Sequence, residues 1–392
     1  MAAGGALALA AELRVLPRRE SQEREALERL AAWCGRFSSE VSLEPPQALV
    51  LEAERSLRLF GGARALLEQV SGGVAGLGYR ARCCLAPTPR GALMLAAARV
   101  EGVFEDLASL RAALSGLPLT TLGLGERELG DLGRMGLRQV SDLLRLPRAG
   151  LAERLGPQRI HQLQRLLGEA PDPRSLFQPP ARYSARLELP AELLYADALV
   201  FPCRRLIEEL AGFLLGRDSG AQRLEWSLQH PPGIASTCFT LGSARPHRDP
   251  AHWLELLRGR LERLQLPAPV RALGLGVDDI QPLAPAALEL FPGLAHCAEP
   301  DALLLDRLRA RLGREAVRGL ALVADHRPER AWRWCPPGES GTGKGRSDRP
   351  LWLLPEPLPL ETRGRRPWWH GELDLGEERE RIETGWWDGF EV

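Results

Sequence analysis

The residues able to do chemistry in this chain are few and scattered. The run Gly338-Glu339-Ser340-Gly341-Thr342-Gly343-Lys344-Gly345 nearly has the spacing of a phosphate-cradling loop, in which backbone amides and a lysine hold phosphates and a hydroxyl holds magnesium. It fails at three points. Gly345 stands where the hydroxyl is needed, Pro336-Pro337 precede it in place of a strand, and Pro350 cuts off the helix that should follow. It reads as a flexible linker over 336–350. Seven cysteines (Cys34, Cys83, Cys84, Cys203, Cys238, Cys297 and Cys335) include no C-x-x-C pair, so they fit free thiols in a reducing compartment better than a zinc site. That leaves the turn Val41-Ser42-Leu43-Glu44-Pro45-Pro46-Gln47, where one carboxylate stands against two prolines. Carboxylates hold the metal ions of phosphoryl transfer. Proline supplies no side-chain ligand, so this turn offers one carboxylate at most, and no metal or cofactor is expected.

The elements that would position this turn follow from periodicity. Residues 24–36 put apolar side chains at 27, 30, 31 and 34, one face of a helix. After the prolines, Ala48 to Glu52 reads as a short buried strand, 63–77 as a helix, 80–86 as a strand and 91–98 as a helix. This alternation predicts an α/β or α+β layer. Residues 117–177 read as short helices punctuated by glycine turns. Residues 181–280 read as strand, helix (197–216), strand (222–229), strand (235–241), helix (250–264) and strand (270–277). Beyond a linker at 281–300, only Leu303 to Leu312 has a helical pattern, and the remainder is rich in Pro, Gly and Trp.

Composition narrows the class. The 392 residues leave room for two to four domains, and 44% hydrophobic with 26% charged residues is ordinary soluble material. Lys plus Arg and Asp plus Glu are both 51, and Lys344 is the only lysine. Zero net charge argues against a chain that coats nucleic acid along its length, while local patches remain open. Met1 to Ala10 is apolar but lacks the basic start of a signal peptide. No run reaches the ~20 apolar residues of a membrane span. The expected location is the cytoplasm.

The hairpin VSLEPPQALVLE (41–52), the turn SLRLFGG (56–62) and the strand ARCCLAPTP (81–89), in this order, resemble the ImuB-type branch of the UmuC-like, Y-family translesion DNA polymerases. The resemblance implies an α+β multi-domain fold: a partial fingers/palm over 1–110, a helix-hairpin-helix thumb over 117–177, a β-α-β-β-α-β little finger over 181–280, a 281–300 linker and a poorly ordered partner-interaction region over 301–392. In the family a Ser-Ile-Asp-Glu run supplies two metal-binding carboxylates, and here those positions are Glu44 and Pro45. The strand that bears the first aspartate is expected to be missing, as in an N-terminally truncated chain. No catalytic residues are therefore assigned. In the thumb, Gly133, Gly136 and Arg138 would meet a DNA phosphate. In the little finger, Arg223, Arg245 and Arg248 would face DNA. Leu288, Glu289, Leu290 and Phe291 resemble the sliding-clamp pentapeptide, with Ala287 in place of its glutamine. Trp386 and Trp387 match the branch's C-terminal signature for partner binding.

The function implied is that of a non-catalytic scaffold in DNA-damage-induced (SOS) translesion mutagenesis. Its partners would be the sliding clamp, an ImuA-type RecA-like protein and an error-prone C-family DNA polymerase. DNA itself would be bound weakly and without sequence preference. Two alternatives stand beside it: an active translesion polymerase using Glu44 and Glu52 with a third carboxylate, and a non-functional remnant. Charge bears on the DNA part. Residues 117–177 hold nine Arg against seven acids, and 181–280 hold twelve of each, so any grip on phosphates depends on arginines sharing a face.

Overall fold

The computed structural model describes residues 17–283, then 298–325, 330–337, 358–364 and 366–373, with isolated positions outside these ranges. The chain divides into two units, 1–295 and 296–392. In the first, helix α1 (Glu20–Cys34) carries Glu20 and Glu23 in its first turn, at the positive end of the helix dipole, and buries Leu27, Ala31, Trp33 and Cys34. Strands β1 (Val41–Glu44) and β2 (Ala48–Leu51) form an antiparallel hairpin, Val41 opposite Leu51 and Glu44 opposite Ala48. Gly61 and Gly62, with φ of 81° and 108°, turn the chain into α2 (Ala63–Gly76) in a conformation that a side chain would strain.

Next come β3 (Cys84–Leu85), α3 (Pro89–Ala97) and β4 (Gly102–Val103), with β3 and β4 parallel. The strand expected over 80–86 is therefore only two residues long. Arg80, Ala81 and Arg82 are exposed, and no strand pairs with them among the described residues. The helix α3 is N-capped by the Thr88 hydroxyl, which accepts from the Gly91 amide at 3.1 Å. Its buried face joins α4 (Leu107–Ser115), α5 (Glu126–Arg134), α6 (Val140–Leu144), α7 (Arg148–Leu155) and α8 (Pro157–Leu166). One helical core, from Met94 and Leu95 through Leu110, Leu132 and Leu143 to Leu163 and Leu166, unites them.

The segment after 181 forms β5 (Tyr183–Leu193), α9 (Val200–Leu215), β6 (Ser219–Gln229), β7 (Thr237–His247), α10 (Pro250–Leu261) and β8 (Val270–Val277), the β-α-β-β-α-β order read from the sequence. The sheet is antiparallel in the order β5-β8-β6-β7. A short β9 (Ile280–Pro282) carries on along β6 opposite Ser219–Ala221, in the register that β8 began. Leu206, Leu210 and Phe213 of α9, with Trp253 and Leu257 of α10, are buried, as are Leu224, Trp226 and Leu228 of β6 and Leu273 and Leu275 of β8.

Helix α1 packs directly on α9. Trp33 fills the junction: a Cβ placed on Gly73 of α2 would fall 2.4 Å from its ring, and one on Gly212 of α9 would fall 2.0 Å away. Beside it, Arg29 Nε lies 2.9 Å from Glu209 Oε1, an ionic contact without hydrogen-bond alignment. Glu209 is 2% exposed. Burial pushes its carboxyl up, while the charge of Arg29 pulls the other way.

In the second unit, α11 (Ala298–Leu312) precedes two antiparallel hairpins, β10 (Gly319–Leu322) with β11 (Trp332–Cys335) and β12 (Glu361–Arg363) with β13 (Arg366–Trp368). The flexible linker expected over 336–350 is anchored at its start. Glu339 pairs with Arg333, and Gly341 abuts the Leu322 backbone so closely that a Cβ would fall 2.0 Å from its carbonyl oxygen. The residues 343–350 lie outside those described. No helix among the described residues is long and apolar enough to cross a membrane.

The α1–α9 junction generates a prediction. Glu209→Ala leaves Arg29 as an uncompensated, largely buried charge and should cost about 3–5 kcal/mol in chemical denaturation. The pair replaced together, Arg29→Met with Glu209→Leu, should return to within about 1 kcal/mol of the parent, because both desolvation costs vanish at once. A double variant as unstable as the single one would show that the pair itself holds the junction.

Candidate functional site

Glu44 ends β1 at the hairpin turn, and its side chain, 38% exposed, is engaged by the guanidinium of Arg174. The same guanidinium donates through Nη2 to Asp172 Oδ2 at 2.6 Å. Asp172 is almost wholly buried and is also approached by Arg90 of α3 at 3.5 Å and Arg165 of α8 at 3.8 Å. Three arginines thus surround two carboxylates. Pro45 adds no ligand atom. Glu52, the second acid of the alternative catalytic reading, lies beyond the opposite end of the hairpin, its amide donating to Glu40 O and its carboxylate accepting from the Glu54 amide at 2.8 Å. Along the strand this is roughly 13 Å from Glu44, whereas paired catalytic metals sit ~3.5–4 Å apart. The residues present do not fit a magnesium pair. Among the described residues no group of three or more His, Cys, Asp or Glu is placed to hold a metal ion.

Beside this turn the layer is interrupted. The β1–β2 and β3–β4 pairs are separate two-stranded sheets. All of β2 and the Cys83–Ala86 stretch around β3 line a cleft of about 1980 Å³, together with Leu27, Leu66, Val70 and Val74 from the helices. No described strand joins the two pairs. Cys34 and Cys84 also line this cleft, and burial pushes their thiols up to about 12 and about 11, which keeps them protonated and unreactive.

In the helical bundle, Gly133 lies inside α5 and Gly136 makes the turn out of it with φ of 80°. Arg138 is exposed, but the hairpin's amides are already used. Gly136 N donates to Gly133 O and Leu137 N to Leu132 O. Arg138 N and Gln139 N each donate to Asp142 Oδ2 at 3.0 Å, and these two bonds hold the Asp142 carboxyl below its usual range. A phosphate at this turn would have to displace Asp142. Gly156, read from the sequence as punctuation between short helices, turns the chain into α8 with φ of 81°. A further glycine turn, Gly123-Leu124-Gly125 before α5, with φ of 64° at Gly123, was not singled out; its signal, a glycine just ahead of a helix start, was hidden in a chain with 40 glycines.

On the sheet, Arg223 of β6 is exposed and pairs with Glu225 at 3.2 Å, and Arg248 pairs with Asp218 at 2.8 Å. Arg245 is exposed on β7, where the register with β6 shifts between Ala221 and Arg223. The three do not form one uncompensated patch, since two of them already have acidic partners. Leu288, Leu290, Phe291, Trp386 and Trp387 lie outside the described residues. Arg174 and Asp172, which decide what Glu44 can do, were missed. Nothing in a linker sequence marks an arginine that folds back onto a glutamate 130 residues earlier.

No protein-family model matches the chain. Two curated proteins named Protein ImuB, from Caulobacter vibrioides strains NA1000 / CB15N and ATCC 19089 / CIP 103742 / CB 15, are each 31% identical to it over 338 residues, which is 84% of this chain and 72% of theirs. Solved structures with a similar fold include DinB from Sulfolobus solfataricus (15% identity, 71% of this chain and 83% of that one, TM-score 0.36). Another is an insertion ternary complex of Dbh DNA polymerase (15% identity, 71% and 81%, TM-score 0.37). No residue of this chain takes a role from these two. The identity and coverage shared with the Caulobacter proteins settle the family: the chain belongs to the ImuB family, the UmuC-like branch of polymerase homologues that its hairpin resembles.

Proposed function

We propose that this chain is a non-catalytic polymerase homologue that acts as a scaffold in DNA-damage-induced translesion mutagenesis. One observation carries the reading: the only carboxylate left at the metal-binding turn, Glu44, is committed to Arg174, while Pro45 has no ligand to offer. With Glu52 at the far end of the hairpin, two metals have nothing to bridge. Synthesis would then fall to a partner, an error-prone C-family polymerase, recruited with an ImuA-type RecA-like protein and the sliding clamp. The C-terminal residues, Trp386 and Trp387 among them, are the proposed partner contacts. The proposed clamp contact is the Leu288, Leu290 and Phe291 peptide, which would bind extended with its apolar side chains in a pocket.

Primer extension tests the reading. No template-dependent incorporation is expected with magnesium or manganese. Extension that disappears in Glu44→Ala would overturn it.

DNA contact follows from the arginines. Because Arg223 and Arg248 are shared with acids, only a few phosphates can be neutralised. Binding should be weak, indifferent to sequence, and fall roughly tenfold or more between low and physiological salt. A titration insensitive to salt, or a clear base preference, would contradict this.

For the clamp, Leu290→Ala with Phe291→Ala should abolish binding without lowering the melting temperature, each buried anchor being worth ~2 kcal/mol or more. Ala287→Gln should tighten binding by regaining a polar contact. A large drop in melting in the double alanine variant would instead make these residues part of a core.

A further inference from the structure

We infer that the Arg174 guanidinium is the resident cation of the degenerate site, closing it to metal and latching the 168–182 connector onto the hairpin. The inference deepens the non-catalytic reading and rests on it only in taking Glu44 as a former metal ligand.

Guanidinium is planar, always charged and carries five donors in a fixed fork, so one group can serve two carboxylates at once. Arg174 does this, with Nη1 on Glu44 and Nη2 on Asp172. Its side chain is 13% exposed, which leaves water little share in those bonds. Arg90 and Arg165 add two more positive charges around Asp172. A divalent cation entering here would meet three guanidiniums and find both carboxylates occupied. The plug is therefore electrostatic as well as steric.

The same residue fixes the course of the chain. Arg174 reaches Glu44 at the end of β1, and three residues later the Phe177 amide donates to Val41 O at 2.7 Å, at the strand's beginning. The connector thus runs antiparallel along β1, and Phe177 packs on the core around Trp33 and Phe37. Since the connector leads from α8 to β5, the node ties together the hairpin, the helical bundle through Arg90 and Arg165, and the path into the sheet. A cation supplied by the chain does mechanically what a bound metal would do only when present.

The test uses the full chain, hydrogen exchange at Phe177 and melting with and without magnesium. In Arg174→Gln the Phe177 amide should exchange roughly tenfold or more faster, while amides around Trp33 keep their protection. Arg174→Lys, which keeps the charge and loses the fork, should fall between. Should Arg174→Gln fail to fold, Glu44→Gln removes one arm only and should give a smaller acceleration at Phe177. Magnesium should leave wild-type melting unchanged. Unaltered Phe177 exchange in the variants, or a wild type stabilised by magnesium, would overturn the latch. Unaltered exchange in a chain inert in primer extension would sink this inference alone. A wild type that extends primers would sink the non-catalytic reading, and Phe177 exchange would still decide the latch.

Discussion

The arrangement of the first unit hangs on Trp33. Its ring lies where α2 and α9 each present a glycine, Gly73 and Gly212, and neither position has room for a Cβ. An aromatic ring buries a large apolar area in one step, but only if neighbouring backbones come close, and glycine is what lets them. The consequence is long-range. A helix from the hairpin layer is packed onto a helix of the β5–β8 sheet, with Gly216, just past α9, so near Gly35 that a Cβ there would fall 2.7 Å from its carbonyl carbon. The buried Arg29–Glu209 contact sits in the same seam. Such a pair contributes little net stability, but it penalises any sliding that would part the two charges.

The Glu44 node works by the same logic with a different purpose. Glu44 and Asp172 both reach one guanidinium, and two negative charges brought together are favoured by a cation shared between them. A metal ion is one answer, and a guanidinium is another. The choice has chemical consequences. A metal leaves open positions for substrate oxygens and lowers the pKa of bound water. A guanidinium has no open coordination position and no Lewis acidity, so it preserves the charge balance while withdrawing the chemistry. On the non-catalytic reading proposed above, the turn would keep its charge balance without metal chemistry.

Much of the fold was legible because it is periodic. The strand after the prolines, α1, α2 and the whole β-α-β-β-α-β order of 181–280 follow from alternation and helical spacing, the 41–52 hairpin came from the resemblance, and the structure differs from that reading mainly at element ends. The parts that escaped were those without a period. Gly102–Val103 is too short to show alternation, and it is a strand only because it pairs across α3 with Cys84–Leu85, the short remainder of the strand expected over 80–86. The site was half legible. Pro45 announced the loss of a ligand once the resemblance placed it at a metal-binding position, since proline has no side-chain ligand to offer. Asp172, Arg90 and Arg165 gave no sign, because an ion-pair node assembled from a turn, two helices and a connector has no signature along the chain. The Trp33 junction escaped for the same reason, its glycines being indistinguishable in sequence from those of turns.

These constraints also bear on how such a chain could contact DNA. Phosphate binding needs positive charge or free amides held at the surface. Here the arginines of the sheet are largely spent on neighbouring acids, and the turn after α5 spends its amides on Asp142. An acid already bound at a phosphate-sized position is a competitor, so DNA gains only the difference between its own phosphate and that carboxylate. A molecule built this way would be expected to grip nucleic acid loosely, as proposed above, with its residence there set by whatever else it is attached to. Linkage to a second binding module raises the effective concentration without any new DNA contact. On the scaffold reading proposed above, such weakness would let the chain stay near DNA through its partners without obstructing the enzyme that copies it.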